Sequence, residues 1–111
     1  MIEILNAIEA ATDLPINPLS SHQCGEQIVY SIIPLADNGV VKQDRLELNI
    51  VCSSLARTIE KDNSIRKALL SIGDLEKNGV LSIELNGGGT LESEVGVHRF
   101  TNYTITTRSE I

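Results

Sequence analysis

Two short stretches alternate apolar and polar residues with a period of two, and two longer ones repeat their apolar residues at three- and four-residue spacing. Alternation puts successive side chains on opposite faces of a strand, whereas the longer period lines one side of a helix. Residues Ile2–Ala11 place Ile4, Leu5, Ile8 and Ala11 together, with Glu3, Asn6 and Glu9 opposite, which predicts a helix that Pro15 cannot continue. Pro15–Gly25 reads as a loop or irregular extended stretch. Gln27–Ile33 predicts a strand with Ile28, Tyr30 and Ile32 inward and Val29, Ser31 and Ile33 outward, ended by Pro34. Asp37–Asn38–Gly39 is a hairpin turn signal, since Asn-Gly tolerates positive φ. The partner strand, Arg45–Cys52, turns Leu46, Leu48, Ile50 and Cys52 inward.

Ser53–Ser54 supplies a helix N-cap, and Leu55, Ala56, Ile59, Ile65, Leu69 and Ile72 form a broad apolar stripe up to Gly73. Asp62–Asn63–Ser64 interrupts that stripe, so a kink or restart is expected there. Val80–Asn86 predicts a strand with Leu81, Ile83 and Leu85 inward, then a flexible loop at Gly87–Gly88–Gly89, then a final strand over about 95–108. The expectation is an α+β fold of order α-β-β-α-β-β: a four-stranded, mainly antiparallel sheet with two helices on one face, forming one domain over residues 1–111.

Composition narrows function by exclusion. The chain carries only three aromatic residues, Tyr30, Phe100 and Tyr103, too few for ring-based sugar or base recognition. Its net charge of −6, with Lys and Arg scattered among acids, opposes tight binding to phosphate backbones. Met1–Thr12 lacks the basic-then-apolar pattern of a secretory leader, and no apolar run approaches the roughly 20 residues of a membrane span. Cys24 and Cys52 therefore read as free thiols in a reducing compartment.

Candidate chemistry fares poorly on spacing. His22, Cys24, Cys52 and His98 lack the paired C-x₂₋₄-C and H-x₃₋₅-H spacing of a structural zinc site. A cysteine nucleophile needs a base within reach, and although His22 is near Cys24, residues so close in sequence rarely aim at one another productively. Asn86–Thr90 lacks the lysine and following helix of a phosphate-binding loop. Paired carboxylates occur at Glu9/Asp13 and Glu92/Glu94, but acid–base work needs a cleft, and Glu92 and Glu94 lie in a glycine-flanked loop where solvation is expected. No catalytic residue, cofactor site or metal site is expected. The informative residues are apolar ones pointing away from the expected core. Val29, Ile33 and Val51 fall on the second face of the sheet and Val40 and Val41 lie by the hairpin tip, a pattern that fits a partner-covered face.

The element order and several strings resemble the small tail-completion or tail-terminator proteins of long-tailed bacteriophages, also described as minor structural or minor capsid proteins. The resemblance lies in MIEILNAIEAAT leading to a Pro-containing segment, QIVYSII followed by RLELNIVCSS running into a long helix, SIRKALLSI near the end of that helix, and the closing strand HRFTNYTITTR. It implies a homo-oligomeric ring, commonly hexameric, capping the tail tube at the head-tail junction and docking tail-tube and head-connector proteins. DNA would pass through without specific binding. Such a subunit would reside in the virion, or in the host bacterial cytoplasm during assembly, and not in a membrane. Contacts are expected from Val29, Ile33, Val40, Val41 and Val51, and from the acidic loop Glu92–Glu94. The alternatives are a head-completion or connector protein of the same particle, or a ferredoxin-like regulatory or ligand-binding domain, which the N-terminal helix argues against.

Overall fold

The computed structural model describes residues 2–18, 26–74, 80–93 and 96–108. Helix α1 spans Ile2–Thr12 and strand β1 spans Ile16–Pro18. Strands β2 (Gln27–Asp37) and β3 (Val41–Cys52) precede helix α2 (Leu55–Asp74), and β4 (Val80–Ser93) and β5 (Gly96–Arg108) follow it. The strands form one five-stranded mixed sheet in the order β1-β2-β3-β5-β4. The fold is α+β, but the four-stranded expectation is overturned: β1 adds a fifth strand, parallel to β2, with Ile16 opposite Ile28 and Pro18 opposite Tyr30. Three residues preceded by Pro15 and ending in Pro18 carry no strand signal of their own. Pairing with β2 makes the strand, and Ile28 N–H donates to the Pro15 carbonyl at 2.9 Å.

Other boundaries move for physical reasons. Pro34 does not end β2, because its missing N–H is accommodated where the ladder slips between Pro34 and Ala36. The turn that follows matches its signal: Gly39 takes φ 85°, and the Asn38 Oδ1 accepts from the Val40 and Val41 amides at 2.9 Å each. The glycine triplet is not a loop. Gly87–Gly89 lie inside β4, and a Cβ on Gly88 would stand 1.8 Å from the Phe100 carbonyl oxygen, so this close approach to β5 admits no larger residue.

The core lies between one sheet face and the two helices. On β3 the inward residues are Leu46, Leu48, Ile50 and Cys52, and on β5 they are Val97, Tyr103 and Ile105, all buried with Ile28 of β2 and Ile83 of β4. Ladder partners such as Leu46 and Tyr103 share a face, so this single parity defines the covered side. Helix α1 contributes Ile4 and Ile8, and α2 contributes Ile65 and Leu69. In β4 a slip between Val80 and Ser82 turns Val80, rather than Leu81, inward.

Helix α2 corrects the sequence reading twice. It runs unbroken through Asp62–Ser64, and its buried positions are Thr58, Asp62, Ile65 and Leu69, spaced by four, three and four. Leu55 and Ile59 are left exposed. The helix starts on a side-chain cap: the Ser54 hydroxyl accepts from Arg57 N–H at 3.3 Å. Glu26, just before β2, accepts from Ser53 N–H at 3.0 Å and clamps the Arg57 guanidinium at 2.8 and 2.6 Å. Those bonds hold the Glu26 carboxyl at about 2, well below its ordinary 4.5, the Arg57 contact contributing most. No helix of the described residues is long and apolar enough to cross a membrane.

Candidate interaction surface

The second face of the sheet carries no helix among the described residues. Strand parity assigns it: Val29 and Ile33 of β2, the odd residues 41–51 of β3, the even residues 98–108 of β5, and Leu91 of β4. Its middle is mostly polar, with Arg45 and Glu47 on β3 beside Asn102 and Thr104 on β5, and with Ile33 opposite Arg45 as an apolar exception. Gln43 Nε2 donates to Thr106 Oγ1 at 3.5 Å, and the Asn86 amide pairs with the Thr104 hydroxyl. Such a ladder is at ease in water.

One end differs. There Val51 lies opposite His98, which lies opposite Leu91, while Asn49 stands between Val29 and Phe100. The His98 and Phe100 rings stack with centroids 6.5 Å apart and planes 15° apart. Asn49 Nδ2 is 3.4 Å from His98 Nδ1. Phe100 is 43% exposed and Leu91 is 59% exposed, so two large apolar side chains crown a patch in which Val29, Val51, Leu91 and Phe100 are interleaved with Asn49 and His98. Scattered surface apolar residues need no explanation, but an aromatic and an aliphatic side chain on one flat face are characteristic of contact surfaces.

The expected contact residues therefore divide. Val29 and Val51 belong to the patch. Ile33, 38% exposed, and Val41 share its face but stand farther along, Val41 being ten residues from Val51 on β3, roughly 33 Å away. Val40 lies at the hairpin tip, 73% exposed. Glu92 is part of β4 rather than a loop, and its ladder position opposite Val97 puts it on the helix-covered side of the sheet. Glu94 lies outside the described residues. Sequence reasoning missed Phe100 and Leu91. Phe100 was within reach, because once Tyr103 and Ile105 point inward alternation sends Phe100 outward. Leu91 was not, because its strand reads as a glycine-rich loop.

No group of three or more His, Cys, Asp or Glu among the described residues can hold a metal ion. Cys52 is buried on the helix side while His98 stands on the open side, so these two cannot share a ligand. His22 and Cys24 lie outside the described residues. Burial pushes the Cys52 thiol up from its ordinary value, assisted by the Glu26 carboxylate, which keeps it protonated and unreactive.

A second polar feature lies beneath α2. Asp62, with 0% of its side chain exposed, accepts from Arg99 Nε at 2.6 Å and lies 3.4 Å from Arg66 Nη2. Arg99 also donates through Nη1 to Thr90 Oγ1 at 2.9 Å. The Thr101 and Tyr103 hydroxyls are buried on the same side, and burial, reinforced by the Asp62 charge, raises the Tyr103 pKa. Arg99 balances the carboxylate charge and ties α2 to β5 and β4, while Arg66 approaches the same oxygen from within α2.

The fold and its open face define a single-sheet α+β domain with one side available for contact. No protein-family model matches the chain, and no curated protein matches it significantly.

Proposed function

We propose that this protein is a structural assembly subunit that works by docking its open sheet face and neighbouring edges onto other protein chains. The observation that carries the reading is the patch of Val29, Val51, Leu91 and Phe100 on a sheet face that no helix of the described residues covers. A sheet with helices on one side is stable in water when its other face is polar; here one end departs from that rule, and partner contact accounts for the departure.

The resemblance in the sequence supports a role in a tail ring of a long-tailed phage, capping the tube at the head-tail junction, with head completion in the same particle as the alternative assignment. The acid excess of the chain fits a ring traversed by DNA, since like charge keeps phosphates from sticking. Assembly would then take place in the host bacterial cytoplasm and end in the virion. Electron microscopy of the concentrated protein tests this directly. Closed rings of one copy number are expected. Monomers at every concentration, together with failure to bind tail-tube or connector proteins, would contradict it.

A further inference from the structure

Resting on the reading that the open face docks, we infer that Arg99 is a positioning residue that latches the outer half of β4 and thereby sets where Leu91 stands on the docking patch. β4 is an edge strand, and after the ladder slip between Leu85 and Gly87 its backbone runs through Gly87, Gly88 and Gly89, with φ at Gly87 of 120°. Three glycines bring no side chain to pack and lose more backbone freedom on ordering than any other residue. An edge strand built this way stays paired with β5 but has few side chains to oppose peeling. A side-chain tether opposes peeling. Arg99 lies opposite Thr90 in the ladder, and its guanidinium donates to Thr90 Oγ1 at 2.9 Å and to the buried Asp62 carboxylate at 2.6 Å.

Asp62 is the fixed end of this latch. It sits on the buried side of the unbroken helix α2, and its carboxylate is fully enclosed, so Arg99 is anchored to the rigid layer rather than to solvent. Thr90 is the mobile end. Because neighbours in a strand point to opposite faces, holding Thr90 toward the helices holds Leu91 toward the open face, where it stands opposite His98 and beside Phe100. The helix layer thus orders a residue displayed on the far side of the sheet.

The test is amide exchange of the full chain, read by mass spectrometry at a concentration where it is monomeric, alongside sedimentation of concentrated samples. Thr90→Val removes only the mobile end and leaves the Arg99–Asp62 pair intact. Losing that hydrogen bond should raise exchange across residues 87–93 about fivefold while 46–50 exchange as before, and Thr90→Ser should restore the original rate. Self-association should weaken by a similar factor in Thr90→Val and recover in Thr90→Ser. Unchanged exchange over 87–93 overturns the latch. Faster exchange with unchanged association overturns its link to docking. If Phe100→Asp leaves association intact, the docking reading itself fails, and the exchange result still decides the latch.

Discussion

The two faces of β5 are built from one run of residues under opposite demands. Toward the helices it presents Val97, Thr101, Tyr103 and Ile105, all buried, with half-buried Arg99 among them; toward the open side it presents His98, Phe100, Asn102, Thr104 and Thr106, none of them buried. The first set is chosen by volume and packing. The second is mostly small and polar, and Phe100 is the exception. An aromatic ring 43% exposed and stacked on His98 is the feature on which the docking proposal rests. That contrast teaches more here than any catalytic motif.

Substitutions on the two faces should separate stability from assembly. Leu48→Ala on the covered face should cost about 3 kcal/mol, because Leu48 is buried among residues of both layers and leaves a cavity. Chemical denaturation would show this as a lower midpoint with little change in slope. Phe100→Ala on the open face should change monomer stability by less than about 0.5 kcal/mol, as surface substitutions do. A loss for Phe100→Ala as large as that for Leu48→Ala would erase the distinction.

Smaller effects come from the rim where α2 begins. Ser54→Ala should cost about 1 kcal/mol through loss of the cap, measured by the same denaturation. Glu26 adds a pH signature. Its carboxyl is held at about 2 against an ordinary 4.5, so the folded state favours the ionised form. The stability it contributes is present above the ordinary value and drains away as pH falls from 4.5 toward 2. Glu26→Gln should flatten the stability profile over that window and leave it parallel to the native profile at neutral pH. A profile that keeps its acid slope would show that other carboxylates dominate.

Legibility in the sequence followed how local the determining interactions are. The β2–β3 hairpin could be read because alternation and an Asn-Gly turn both act within a few residues, and Leu46, Leu48, Ile50 and Cys52 are buried as their pattern predicts. β1 could not, since the prolines favour an extended backbone but only pairing with β2 makes Ile16–Pro18 a strand. Gly87–Gly89 read as a loop because glycine disfavours strands, yet β5 imposes the pairing and Gly88 fits only because it is small. Asp62 looked like a break in the helix. Its burial depends on Arg99, thirty-seven residues away in the chain, a partner that no local window contains. Of the candidate surface, the alternation of β2 and β3 marked Val29 and Val51, whereas Leu91 needed the β4 register and Phe100 needed β5 counted outward from Tyr103.

Sedimentation equilibrium of the native chain beside Phe100→Asp tests the central claim most directly. A charge placed in the middle of a desolvated contact should weaken self-association at least about tenfold, near 1.4 kcal/mol, while the melting temperature stays close to native. Equal association constants for the two proteins, measured where the native chain assembles, would show that the open face is not the surface through which this protein meets its partners.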